Sequence, residues 1–545
     1  MTNLRASIIL LLPALLAALL QPSSPAQTPS PAPQPKGTIY EPQLPPLSND
    51  YPATADSKTQ PGVPVGKTFK FTLDDSKIFP DTTRTITVYI PAAYNPKKPA
   101  CLYVGFNSLG YDAPIVFDNL ISQHAIPVII GIGVAPGEVK PSDPSATQRY
   151  DRSFELDSLT DKLARFILEE VIPAVEAHKT PSGDPIRIST DPSDHMIAGG
   201  STGGIAAFNV AWQRPDAFRR VFMNIGTFVG MRTGEQFYVQ VRKTEPKPIR
   251  VFTTDGAHDE WPGGPEMGDW FMSNLTMNRA LEFAGYDVQH VWGDHAHNGN
   301  LGTQLFPAAM KWLWRDYPTP IQALNPGDSK FEDPTQPPGN PRLKDIAIPG
   351  ETWQLTTDHP TFPTAFKTST GDTYSVTPTP NGEAELWLTR ANGQKLKLDD
   401  HILGAAGLAI TPDGAWLTVP QSHSRLGLSY RIKPDGTVDA RETLFDFYVP
   451  ADADDSGAAA IAYDTNGHAY VATRLGIQVF DRNGRVTVIL PLPANEPATS
   501  LTFGGSDFST LYVATTTGKI YKRKMKVPGL PPAAPPIKLK PEGAG

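Results

Sequence analysis

The chain has 545 residues, 39% hydrophobic and 19% charged, with a net charge of −8 and a sequence pI near 5.8. Such a composition describes a globular chain, with room for three or four domains by length, and excludes collagen, coiled coil and wholesale disorder. The acidic balance, with no Lys/Arg stretch interleaved with aromatics, excludes the electrostatic footprint of a nucleic-acid partner, and the lone Cys101 excludes an intrachain disulfide and cysteine-rich zinc sites.

At the N-terminus, Arg5 precedes an apolar run from Ile8 to Leu20. Ser24-Pro25-Ala26 then supplies the small residues of a signal-peptide cleavage site, with cleavage expected after Ala26. The run is shorter than the roughly 20 residues of a membrane span. An exported protein, periplasmic or secreted, is therefore expected, with no membrane partner once the signal is removed. Prolines divide the rest. Of 57, nine fall in residues 21–50, eight in 318–349 and six in 528–545. These clusters read as a spacer over 27–50, a linker over 318–349 and a tail over 528–545. They leave folded blocks over 51–317 and 350–527.

In the first block, short apolar runs alternate with longer amphipathic ones, as in strands joined by helical crossovers. Strands are expected at Phe69–Thr72, Thr85–Ile90, Leu102–Gly105, Val128–Val134, His195–Ala198, Arg220–Asn224, Arg250–Thr254 and Val288–Trp292. Leu159 to His178 carries Leu159, Leu163, Phe166, Ile167, Val171 and Val175 at helical spacing, and Ile205–Trp212, Met267–Ala284 and Phe306–Trp314 are further helices. The predicted class is α/β, with a mostly parallel sheet that binds ligands at the carboxyl ends of its strands. Cys101, between Ala100 and Leu102, reads as a buried core thiol.

At one strand end stands Gly199-Gly200-Ser201-Thr202-Gly203, a GxSxG match between a strand and a helix. A nucleophile elbow needs glycines where a Cβ would clash, and the amide of Thr202 at the helix start then points where an oxyanion forms. The plainer alternative is a Gly-rich turn with an idle serine. A serine nucleophile needs an acid and a histidine, in the order Ser, acid, His. Asp255, His258, Asp259 and Glu260 follow one strand, and Asp294, His295 and His297 the next. His258, His290, His295 and His297 are close in sequence, but their spacing is not that of a helical HExxH site, and no metal is expected there.

Residues 68–317 resemble the enterochelin-esterase-like branch of the α/β-hydrolases, which includes feruloyl and acetylxylan esterases. The motifs that carry this are Arg152-Ser153-Phe154-Glu155, the elbow from Gly199 to Gly204, Arg214-Pro215-Asp216-Ala217-Phe218, Gly256 to Asp259, Ala280 to Asp287, Gly293 to Gly299 and Lys311 to Arg315. The resemblance implies Ser201 as nucleophile, Asp259 as acid, His297 as base and His295 as a structural neighbour. It also implies a second oxyanion amide at Phe106 or Asn107, although Gly105-Phe106-Asn107-Ser108 stands where relatives show a Gln-Asp-Gly run. This chemistry requires no metal or organic cofactor.

The second block repeats an apolar strand, a Gly-containing turn and a second strand, beginning near Pro363, Ala406, Ala459 and Ala498. This spacing is that of β-propeller blades, four or five in number. The block resembles the senescence-marker-protein/gluconolactonase family, most clearly in Ala459–Val471, Leu475–Asn483 and Leu501–Tyr521. That family holds a divalent metal through a Glu, an Asn and an Asp. Here no Glu occurs near Pro363, Ala406-Gly407-Leu408 replaces the Asn turn, and Ala459-Ala460 replaces the Asp-Gly pair. Methyl groups cannot ligate a hard cation, so the block reads as a degenerate propeller without lactonase activity unless Asp454 or Asp455 rebuilds a site. Trp387, Trp416 and Tyr470 suit either sugar stacking or a blade core, and the core is the expectation. The whole reads as an exported serine carboxylic-ester hydrolase with a non-catalytic propeller. It would act on small-molecule or polysaccharide esters such as acetylated or feruloylated glycans. The alternatives are a siderophore (enterochelin-type) esterase, an inactive binding or scaffold protein, and a metal-dependent gluconolactonase in the propeller.

Overall fold

The structure, a computed structural model, describes residues 47–260, 267–323 and 339–540. The expected signal peptide and most of the spacer behind it lie outside the described residues, as do 324–338 of the expected linker and 541–545 of the expected tail. Among the described residues no helix is long and apolar enough to cross a membrane.

Eight strands form one sheet: β1 (Lys67–Leu73), β2 (Arg84–Ile90), β3 (Cys101–Phe106), β4 (Ile129–Val134), β5 (His195–Gly200), β6 (Arg220–Asn224), β7 (Arg250–Gly256) and β8 (Asp287–Gly293). Their order is β1-β2-β4-β3-β5-β6-β7-β8. β1 and β2 run antiparallel to their neighbours and the remaining pairs are parallel. β3 and β4 are buried at every position, which is why they are continuous apolar runs, whereas the edge strand β1 alternates. On one face α1 (Ala113–Ser122) and α5 (Asn300–Leu313) pack Phe117, Leu120, Phe306 and Leu313 onto the sheet, and Cys101 lies in that core as a buried thiol, its ionisation pushed up to about 12 by burial. On the other face lie α2 (Thr202–Gln213), α4 (Trp270–Ala284) and an interrupted helix whose α-helical ends, Lys162–Phe166 and Ile172–Ala177, flank a π-helical stretch, Ile167–Val171. Glu155 of the Arg-Ser-Phe-Glu motif pairs with Arg84 of β2 at 2.7 Å, both side chains buried, and so ties that motif to the sheet.

The C-terminal part is all β. Among the described residues four four-stranded antiparallel sheets make a propeller-like ring, their first strands starting at Ala365, Ala409, Ala460 and Ala498 except in the last, which Gln354–Leu355 joins at its outer edge. The fourth blade is thus completed by a strand that precedes the first. Inside the stretch read as linker, α6 (Pro341–Ile346) buries Leu343 and Ile346 among the third and fourth blades. The stretch read as tail crosses blade turns: Thr465 N–H donates to Pro528 O at 2.8 Å and Ile537 N–H to Pro412 O at 2.8 Å.

The two parts pack together. Residues just past α3 (Gln236–Lys243) add a rung to the outer strand of the third blade, with Glu245 N–H on Ile489 O at 3.0 Å. Glu245 also accepts from the two terminal guanidinium nitrogens of Arg523, each at 2.6 Å. Between the parts lies a cavity of about 390 Å³, lined among others by Trp212, Phe237, Lys247, Arg474 and Asn495.

Candidate active site

Ser201 sits between β5 and α2 with φ 57° and ψ −124°, a conformation a side chain adopts only under constraint. The constraint is visible on both sides. Ser201 N–H donates to Asn224 O at 3.0 Å, and Ser201 O accepts from Gly204 N–H at 2.8 Å. The turn closes so tightly that a Cβ on Gly199 would stand 2.2 Å from Gly203 O, and one on Gly203 would stand 3.2 Å from Phe106 Cβ. The glycines of the motif are therefore steric requirements of the turn.

The loop after β7 carries Asp259 and the loop after β8 carries His297. His297 Nδ1 lies 2.6 Å from Asp259 Oδ1, and His297 Nε2 lies 3.0 Å from Ser201 Oγ. Asp259 is fully buried, while a quarter of the His297 side chain faces solvent. With Nδ1–H donating to the carboxylate, Nε2 presents its lone pair to the serine hydroxyl. Trp270 stands edge-on to the imidazole, ring centroids 5.9 Å apart.

The other candidate histidines face elsewhere. His295 is buried, with Nδ1 2.6 Å from Ala296 O and its ring edge-on to Tyr51. His258 turns Nδ1 to Asp294 O at 2.9 Å, and His290 stacks on Trp292. Asp259, Glu260 and His297 do offer ligand atoms within 4.8 Å of one another. Two of those groups are directed at each other, however, and the histidine's second nitrogen is directed at Ser201. Asp255, the other carboxylate in that turn, accepts from Gly256 N–H at 2.7 Å and from Asn274 Nδ2 at 2.8 Å.

Thr202 opens α2, so its N–H has no acceptor within the helix. The expected Asn107 donor needs correction: its main-chain N–H is committed to Val134 O of β4 at 2.9 Å. Successive amides of a parallel ladder point to opposite sides, so the N–H of Phe106 is on the β5 side, toward the nucleophile strand. The Asn107 side chain instead brings Nδ2 to 3.7 Å from where a Gly203 Cβ would be.

Several residues at the site carry no sequence signal. Asn224 holds the elbow through its carbonyl, and its buried side chain lies against Gly302. Tyr111 brings its hydroxyl to 3.2 Å from a would-be Gly200 Cβ. Tyr51 donates its hydroxyl to Asp294, and Ser48 N–H reaches Asp294 O at 3.3 Å, so the segment before the first strand braces the histidine loop.

Among the described residues of the propeller, the positions where a metal site would be expected bring no serine, histidine and carboxylate together. Gly407 lies against Ala459 and Ala460, Asp455 pairs with Arg474 at 2.7 Å, and Asp454 is exposed. Tyr470 is core, bonded to Asp464, while Trp387 and Trp416 are half-buried. Among the described residues the second cluster of possible ligands, Asp399, Asp400 and His401, lies on the outer strand of the first blade.

Residues 77–300 match the model of the family described as Putative esterase, and residues 367–517 that of the SMP-30/Gluconolactonase/LRE-like region. Both resemblances carried by the motifs stand. No curated protein matches the chain. Among solved structures the chain is similar to a ferulic acid esterase at 16% identity, over 46% of this chain and 99% of that one, with a TM-score of 0.36. It is similar to the enterobactin esterase of Shigella flexneri at 15% identity, over 50% of this chain and 64% of that one, with a TM-score of 0.36. A ferulic acid esterase of Anaeromyces mucronatus, solved with ferulic acid, matches at 16% identity over 49% and 96%, with a TM-score of 0.35. The chain thus spans under two thirds of the Shigella enzyme.

Proposed function

We propose that this chain, whose residues 77–300 match the Putative esterase family, is a serine carboxylic-ester hydrolase that works through an acyl-enzyme on Ser201. One observation carries the reading: a strained serine 3.0 Å from an imidazole nitrogen whose other nitrogen is 2.6 Å from a buried carboxylate. In this reading His297 Nε2 takes the proton of Ser201 as Oγ attacks the ester carbonyl. Asp259 holds the imidazole tautomer and stabilises the charge it gains. The Thr202 and Phe106 amides receive the oxyanion, and His297 returns the proton to the leaving alcohol. Water, activated by the same imidazole, then cleaves the acyl-enzyme.

The substrates proposed are acetyl or feruloyl esters of extracellular glycans. The N-terminal signal-peptide pattern supports this, since an exported enzyme meets such esters outside the cytoplasm. Ser201→Ala is expected to lower hydrolysis of a chromogenic short-chain ester by about 10⁴-fold or more, with the melting temperature nearly unchanged. Retained turnover would sink the assignment. A panel of acetyl, feruloyl, catechol-siderophore and long-chain esters tests the substrate class, and failure of wild-type Ser201 to react with a fluorophosphonate probe would mark an inactive scaffold.

A further inference from the structure

Asp255, near the end of β7, is fully buried, as is Asp259 in the turn that follows. Its hydrogen-bond partners, Gly256 N–H and Asn274 Nδ2, are uncharged. Asp259 Oδ1 receives His297, whereas Asp259 Oδ2 is buried and has no donor. Two carboxylates in one dry turn cannot both ionise without a cation between them. The one bonded to His297 gains from its charge; the other gains nothing by ionising. A neutral carboxyl, however, carries an O–H that needs an acceptor when buried. Asp259, whose side chain is within hydrogen-bonding reach of Asp255, offers Oδ2 as such an acceptor without a donor; Asn274 Oδ1 is also unpartnered, but Asn274 already presents its Nδ2 to Asp255.

We propose that Asp255 is a positioning residue: it stays neutral and donates its carboxyl O–H to Asp259, holding that carboxylate against His297 and tempering its charge. The proposal rests on the Ser201–His297–Asp259 reading. Burial, together with the charge of Asp259, pushes the Asp255 carboxyl far above the usual carboxylate range. Among the described residues the neighbouring titratable groups are few. Its own turn contributes His258 and the partly exposed Glu260. The β8 loop contributes Asp294, His297 and His295, which packs against Gly256. From α4 comes the uncharged Asn274. A donor on Asp259 of this kind takes up part of the carboxylate's hydrogen-bonding capacity, so less of its charge is directed at His297.

The test compares full-length wild type, D255N and D255A. An amide at this position keeps a neutral donor. D255N is therefore expected to hold kcat/KM within about threefold, with the acid limb of its pH profile unmoved. D255A strips the donor and is expected to move the acid limb to higher pH, lowering kcat/KM about tenfold below neutrality. An acid limb that moves to lower pH in D255N would mean that a negative charge had been removed, and would overturn the proposal. An unmoved limb in D255A would reduce Asp255 to a packing role. If D255A does not fold, D255L, of similar shape and without a donor, takes its place. A readout free of turnover is the infrared band of a carboxylic acid persisting at alkaline pH. It is expected in wild type and in Ser201→Ala and absent in D255N. An active wild type without the band sinks this proposal alone, and an inactive wild type with the band sinks the esterase reading alone.

Discussion

Three loops at the carboxyl ends of β5, β7 and β8 converge and deliver Ser201, Asp259 and His297 to one point, each able to hold or move a proton. At the starts of the second and third blades, Gly407 lies against Ala459 and Ala460, and the atoms nearest it there are backbone and a methyl group. In both parts the strands are paired: the eight strands of the central sheet form one ladder, and Gln354–Leu355 supplies the fourth strand of the last blade. The difference lies in a handful of side chains. A fold by itself does not carry an activity; the side chains placed on it do. Here the third and fourth blades also supply the surface on which Glu245 and Lys247 of the α/β part are held.

The sharpest way to break this contrast is to ask which half turnover depends on. His297→Gln removes the nitrogen that faces Ser201 and is expected to lower ester hydrolysis by about 10⁴-fold. A chelator is expected to leave ester hydrolysis unchanged, because no metal ligand enters the proposed steps. Lactone hydrolysis that a chelator abolishes and that survives His297→Gln would reverse the contrast and give the propeller a chemistry of its own.

A second and smaller effect sits where the halves meet. Lys247 is fully enclosed, its Nζ on Trp212 O at 2.7 Å and over the Trp212 ring, and burial pulls its ionisation down to about 7. In the unfolded chain the same ammonium titrates near 10.4. Between those values the unfolded chain binds a proton that the folded one does not, so stability falls as pH drops from about 10 to 7 and levels off below. The slope contributed is about 1.4 kcal/mol per pH unit at most. Lys247→Met is expected to flatten that part of the stability profile, as measured by urea unfolding across the range. An unchanged slope would mean that Lys247 keeps its proton in the fold.

How much of this was legible beforehand follows from the range of each signal. The strands of the central sheet were legible because a strand buried on both faces must be a continuous apolar run, as β4 is. The elbow was legible because its glycines are demanded within five neighbouring residues. α6 was hidden by its own composition: Pro341 was counted toward a linker, yet proline is favoured in a first helical turn, and Asn340 caps it by accepting from Arg342 N–H. The choice between Asp255 and Asp259 had no local signal, since both follow the expected strand Arg250–Thr254, and only the resemblance favoured Asp259. Tyr51 on Asp294 joins residues 243 apart in sequence, and no periodicity reports such a contact. Nor did anything in the propeller's repeat announce which blade would face α3.

The smallest expected effect tests whether the propeller reaches the reaction at all. Asn495, from a loop of the propeller, donates its side-chain amide to Gln213 O and accepts from Lys247 Nζ at 3.3 Å. Gln213 is the last residue of α2, the helix that begins beside Ser201, so a propeller residue caps the helix that carries the candidate nucleophile. Twelve residues of helix at 1.5 Å each put the cap about 18 Å from the serine. A hydrogen bond at that distance stabilises the helix end without directing the elbow, whose geometry is set by Asn224 O and the Gly199–Gly203 contact. Asn495→Ala is therefore expected to cost about 1 kcal/mol in unfolding free energy and to change kcat for a short-chain ester by less than about threefold. A tenfold loss of kcat with unchanged stability would show that the propeller acts on the site through α2.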